Sequence, residues 1–196
     1  NSESRRLLIV LSTIDCIAEF GVHATSFADI AKRSKIHQPH MNYYFPTYEA
    51  LLIECTHYVL NELKNHMISA IERAGTDHAL ALWNYASSPL SWIEENPKLQ
   101  PLWLYFYHLT TQHSRFRKLN IEIRNAGRER ISLLLFRILE KNKAQLMPPW
   151  TVNSLSYAIQ SLITGYMVMA ITEDVDRKTI KSTLKANFDI LMKVCS

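Results

Sequence analysis

Apolar residues recur three and four positions apart along almost the whole chain, and only four glycines interrupt its 196 residues. That period lines one face of an α-helix, whereas half-buried strands need strict alternation and hairpins need glycine-rich turns. No segment alternates for long, so the expected fold is all-α, with about nine helices. Hydrophobic residues make up 47% of the chain, enough for one sizeable core, or for a large core with a small satellite. No stretch of about 18 uncharged apolar residues occurs. The nearest, residues 155–171, carries Ser156, Gln160, Ser161, Thr164 and Gly165 and reads as a buried or interface helix. The polar residues 1–6 lead straight into a helical pattern, so no signal peptide, no membrane association and a cytoplasmic location are expected.

The first helix is predicted over about residues 4–20, with Leu7, Val10, Leu11, Ile14, Ile17 and Ala18 on one face and Gly21 ending it. Two short helices follow, near 26–34 and 37–44, joined by a tight turn. A long helix starts near Thr47, whose hydroxyl can cap it ahead of Leu51, Leu52, Cys55 and Val59. Gly75-Thr76-Asp77 breaks the pattern. Asn96-Pro97 reads as a cap and first helical residue, and Ser114 can cap a helix burying Phe116, Leu119, Ile123, Gly127, Ile131, Leu134 and Ile138. Met147-Pro148-Pro149 stops the chain, and the last two helices are expected near 151–172 and 176–193.

The two short helices carry the chemistry. A second helix can sit in a DNA major groove only if the first crosses it through small residues and a tight turn. Phe27 to Phe45 has that economy: Ala31 is small, Ile30, Ile36 and Met41 supply shared core, and Gln38, His40 and Asn42 can point outward. Pro39 falls in the first turn, where a missing N–H does little harm. The net charge is +4, yet Arg5, Arg6, Lys32, Arg33 and Lys35 face Glu3, Asp15, Glu19, Asp29, Glu49 and Glu54 within residues 1–55. Much of the excess lies in 115–143, where a basic run reads as a solvated helix face.

This segment resembles the TetR family of transcriptional regulators. The resemblance covers residues 5–55, through Ile14 to Gly21, Thr25 to Ala31 and Tyr43-Tyr44-Phe45-Pro46-Thr47-Tyr48-Glu49-Ala50-Leu51-Leu52. It implies a helix-turn-helix DNA-binding domain over 1–46 and a helical ligand-binding and dimerisation domain over 47–196. It further implies that Gln38, Pro39 and His40 meet base edges while Ser26, Tyr43 and Tyr44 hold phosphates. Four positions depart from the family pattern. Lys35 stands where glycine is usual and is expected to be left-handed, and His37 replaces a capping serine. Asn42 replaces a tyrosine and can pair with adenine, so it is added to the DNA-binding set. Tyr48 replaces a lysine that meets phosphate, which predicts weaker and less salt-sensitive binding.

The middle of the chain is rich in aromatic residues. Trp83, Trp103, Tyr107 and His108, with Tyr166 and Met167, are candidates to line a site for a small hydrophobic or aromatic inducer; each has core packing as its alternative. In the last two helices, Leu155, Ile159, Leu162, Ile163, Tyr166 and Ala170, and Ile180, Leu184, Phe188 and Leu191, offer apolar faces for a two-fold dimer, with Gly165 and Ala170 permitting close approach. Completing the monomer core is the alternative. The resemblance implies an operator-binding homodimer, with a repressor as the usual sign. A ligand-sensing or interaction module with decayed DNA binding is the rival reading.

No phosphate loop, His-Glu-x-x-His or nucleophile elbow occurs, so an enzyme is not expected. An all-helical enzyme acting on a hydrophobic substrate would rest only on the aromatic body. Cys16, Cys55 and Cys195 are far apart and read as reduced thiols. His37 and His40 lack a third ligand, so neither metal nor cofactor is expected.

Overall fold

The computed structural model describes residues 2–195 and is all-α among them. Its helices are α1 (Ser2–Phe20), α2 (Phe27–Ser34), α3 (Gln38–Tyr44), α4 (Tyr48–Glu72), α5 (His78–Glu95), α6 (Gln100–Gln112), α7 (Ser114–Asn142), α8 (Val152–Thr172) and α9 (Arg177–Met192), with one 3-10 turn, Pro97–Leu99. The chain forms two compact units.

The first unit comprises the chain through Glu62 together with Asn96–Arg117. Here α1 packs on α2, α6 and the 3-10 turn. Its buried face is wider than expected and turned about the helix axis: Ile9, Thr13 and Cys16 are buried beside Val10, Ile14 and Ile17, while Leu7, Leu11 and Ala18 are exposed. The reason is local. The Thr13 hydroxyl donates to Ile9 O at 2.7 Å, so a polar residue enters the core with its donor already satisfied. The α6 start also differs from expectation. Pro101 has no amide hydrogen to return to Pro97 O, so the chain makes a 3-10 turn before the α-ladder begins at Gln100. One residue, the extended His113, separates α6 from α7, so Ser114 is already helical rather than a cap.

The second unit comprises Leu63–Glu95 and the chain from Lys118 onward. Its central helix is α8, packed on α5 and α9. By length and composition α8 could cross a membrane, but Leu155, Ile159, Ile163 and Met167 are buried within the unit and Ser161 and Gly165 are exposed. A capping box between Thr151 and Ser154 starts α8, and the Asp176 side chain caps α9. Pro89 lies inside α5 and leaves Tyr85 O without its helical donor; the Ser88 hydroxyl lies 3.4 Å from that oxygen and takes the place of the missing amide.

Two expectations for this unit are corrected. Ile123 is exposed rather than part of the α7 stripe. Of the apolar faces assigned to dimerisation, Leu155, Ile159, Ile163, Tyr166, Ala170, Ile180, Leu184 and Phe188 are buried within the unit, while Leu162 and Leu191 are half-buried. Between α7 and α8 runs a polar seam. Arg128 Nη1 donates to Gln160 Oε1 at 2.9 Å, Gln160 Nε2 to Arg124 O at 2.9 Å, and Arg124 Nη1 to Thr164 Oγ1 at 2.7 Å. Gly127 is what lets Gln160 cross, since a Cβ there would lie 2.6 Å from Gln160 Nε2.

Candidate nucleic-acid interface

The helix-turn-helix is built by α2 and α3. Ser26 starts α2 with a reciprocal capping box: its hydroxyl accepts from Asp29 N at 3.2 Å, while the Asp29 carboxylate accepts from Ser26 N at 3.0 Å. These bonds, the side-chain bond from Ser26 first, hold the Asp29 carboxyl below its ordinary pKa. The Ser26 hydroxyl proton is also committed to Asp29, so a phosphate at Ser26 would have to compete with the cap. At the other end Lys35 adopts the left-handed conformation expected of it, φ 56 and ψ 30, and Ile36 N–H donates to Ala31 O at 3.2 Å.

No side chain caps α3. His37 makes no capping bond, and Pro39 occupies the first turn. Met41 alone among its residues is buried, at 0% exposure. Gln38, Pro39, His40 and Asn42 are exposed, Tyr43 is 82% exposed, and Tyr44 is half-buried. A seven-residue helix that buries one side chain and presents five is shaped as a reading surface. Its far end is fastened by Arg6, whose guanidinium lies 4.5 Å from the Phe45 ring centroid, donates to Tyr44 O at 3.3 Å and pairs with Glu54 at 2.9 Å.

The charge at this face differs from the sum over residues 1–55. Asp15 pairs with Lys98 at 2.6 Å, Glu19 with Arg33 and Glu54 with Arg6, and Asp29 is in the capping box. An open depression of about 410 Å³ beside α3 is lined by Arg5, Lys35, His37, His40, Tyr43 and Tyr44 with Ile36 and, among the described residues, by no carboxylate. Arg5 was not among the expected contacts; a cation near the start of α1 carries no motif, and only the fold brings it to α3. Tyr48 turns away from solvent: its hydroxyl donates to Val22 O at 3.1 Å, its ring meets Phe27 edge-on, and burial pushes its pKa up to about 12. The phosphate contact a lysine could make there is absent.

The candidate ligand residues fall into two groups. In the first unit, Trp103 is buried edge-on to Tyr107 at 5.1 Å, and His108 is exposed beside Tyr105. In the second, Trp83 tilts against Phe188 with Lys185 over its ring, Tyr166 accepts from Asn187 Nδ2 at 2.6 Å, and Met167 is buried. Cys55 is buried and desolvation pushes its thiol well above the ordinary range, Cys16 shifts the same way, and none of the three cysteines is in a disulfide.

Residues 9–55 match the family described as bacterial regulatory proteins, tetR family. No curated protein matches the chain. Among solved structures, the chain is similar to a TetR transcription regulator from Haloarcula marismortui, with a TM-score of 0.83 and 15% identity, covering 99% of this chain and 100% of that one. It is similar to the TetR-family regulator PfmR from Thermus thermophilus, with a TM-score of 0.68 and 19% identity over 94% and 97% of the two chains. A Saccharomonospora viridis protein described as a transcriptional regulator, crystallised in complex with choline, gives a TM-score of 0.81 and 16% identity over 96% and 97%. At these identities the structures establish the fold, and the family match establishes the helix-turn-helix. Residues 9–55 therefore carry the helix-turn-helix of the bacterial regulatory proteins of the tetR family, and the chain as a whole has the fold of the TetR regulators to which it is similar.

Proposed function

We propose that the protein is a ligand-responsive repressor that binds a palindromic operator as a homodimer and is released by a small hydrophobic or aromatic inducer. Residues 1–46 form the reading head and 47–196 the sensing and dimerising body. The observation that carries this reading is α3, with Met41 anchored inward and Gln38, Pro39, His40, Asn42 and Tyr43 presented outward. In this reading Gln38, Pro39, His40 and Asn42 meet base edges while Tyr43 and Tyr44 meet phosphates, joined by Arg5 and Lys35.

The dimer is proposed through the outward strips of α8 and α9, where Ser161, Gly165, Val168, Ala186 and Ile190 are exposed and uncharged. Nothing lies within 4 Å of a Cβ built on Gly165, so the chain itself does not require glycine there, whereas a closely approaching helix would. The inducer is proposed to contact the aromatic residues named above, Trp83, Tyr166 and Met167 in one unit or Trp103, Tyr107 and His108 in the other. The choline complex of the Saccharomonospora protein supports small-molecule binding on this fold.

The test is selection of bound duplexes from a random pool, with Gln38→Ala and His40→Ala proteins as controls. Enrichment of a palindrome by the wild type, lost in the controls, supports the repressor. The inward Tyr48 favours a second reading, a sensing module without DNA binding, and absence of enrichment at low salt is its outcome.

A further inference from the structure

The second unit carries an open polar depression, with Arg73 and Lys181 exposed at its edge, that neither the DNA-reading helix nor the aromatic clusters use. Its volume is about 190 Å³, and it lies among the end of α4, α5 and the start of α9. Among the described residues three cations line it, Arg73, Arg177 and Lys181, against a single carboxylate, Glu94. Like charges gathered around a concavity raise its potential and concentrate anions there.

The cations are left available. Among the described residues, the side chains of Arg73 and Lys181 make no hydrogen bond or ion pair. Arg177 is set in place by donating from Nη1 to Ala170 O, and its Nε lies 3.9 Å from Glu94 Oε1, beyond hydrogen-bond range. Glu94 therefore offsets one positive charge without consuming the guanidinium's donors, and the wall keeps an excess of two. The frame around them is fixed by Asn84, whose Nδ2 donates to Ala70 O at 3.1 Å and ties α5 to α4. Ser87 adds a hydroxyl with no partner among the described residues.

Two guanidinium groups and an ammonium offer forked and point donors of the kind that hold phosphate oxygens. The space is smaller than the roughly 300 Å³ at which pockets for drug-sized molecules begin, and amounts to about six waters at ~30 Å³ each. We propose that this depression is an effector site for a small phosphate-type dianion, inorganic phosphate or a short phosphate monoester, separate from the site of a hydrophobic inducer. The bound dianion bridges Arg73, just beyond α4, to Arg177 and Lys181 on α9.

Calorimetric titration of the full chain with inorganic phosphate tests this, with sodium chloride at matched ionic strength and acetate as the comparison anions. The expected result is saturable one-to-one binding of phosphate, with acetate weaker. Lys181→Gln and Arg73→Gln each weaken it about tenfold, the loss of one charge-assisted contact, without changing the melting temperature in phosphate-free buffer. Glu94→Gln tightens it. The proposal is overturned if phosphate behaves as chloride does, if both lysine and arginine variants bind as the wild type does, or if Arg5→Gln and Lys35→Gln remove the binding instead.

Discussion

Polar side chains at the start of the helix-turn-helix bond to residues three positions away, whereas those between α7 and α8 bond across 32 to 40 residues. Ser26 and Asp29 satisfy one another within a single turn, and α3 is seated by Met41 and by Arg6 at its far end, which leaves Gln38, Pro39, His40, Asn42 and Tyr43 exposed. In the second unit, Arg124, Arg128, Gln160 and Thr164 depend on the spacing of two long helices, and Gly127 sets how closely Gln160 can cross. Loss of a local bond loosens one turn. Loss of a cross-helix bond is felt along the pair.

The comparison breaks most visibly at Met41. Met41→Ala is expected to cost about 2–5 kcal/mol, since it empties a fully enclosed site, and to abolish operator binding; a urea melt showing under 1 kcal/mol would mean that α3 is seated by something else. Gly127→Ala sharpens the other side. It displaces Gln160 from two hydrogen bonds worth about 1 kcal/mol each or more and returns about 1 kcal/mol of helix propensity. A net loss of roughly 1–2 kcal/mol is expected, and Gln160→Ala made on top of it should add much less than it does alone.

Two smaller tests probe the local side. Ser26→Ala removes the α2 cap and is expected to cost about 1 kcal/mol, seen in thermal melts as a modest drop with the second unit's cysteine and tryptophan signals unchanged. Lys35→Gly relieves a left-handed backbone that costs a non-glycine residue about 1–2 kcal/mol, against a larger unfolded-state entropy. A net gain below about 1 kcal/mol is expected, and destabilisation would show that the lysine side chain holds the turn.

The smallest effect is one of pH. Because the folded pKa of Asp29 is lowered by its bonds to Ser26, its contribution is fully present above the ordinary carboxylate value of about 3.9 and fades as pH falls through the lower folded value. Faster amide exchange in the first turn of α2 below that point, absent from an Asp29→Asn protein, is the expected sign.

Legibility in the sequence follows the range of the bonds. The α2 start at Ser26, the left-handed Lys35 and the weak α3 cap at His37 are set by neighbours within a few residues, and each is open to reading; Met41 is marked as inward only by its place in the helix-turn-helix pattern. The inward turn of Tyr48, the arrival of Arg5 beside α3, and the Gln160 crossing at Gly127 depend on residues tens of positions away. In α1 the expected Val10, Ile14 and Ile17 are buried, but Thr13 joins them because its hydroxyl bonds back to Ile9 O, which periodicity of apolar residues does not show. Periodicity in α8 and α9 reveals the apolar faces, but not whether the unit itself or a partner covers them, since burial depends on which helices arrive.

Arg6 has a mechanical consequence. By reaching over Phe45 to the carbonyl of Tyr44 while held by Glu54, it works as a guy-rope from the opening turns of α1 to the far tip of the DNA reader. Losing it would unfasten the C-terminal end of α3 while leaving Gln38, Pro39, His40 and Asn42 in place, so that in the proposed repressor Arg6→Ala weakens DNA binding without changing a base-facing side chain.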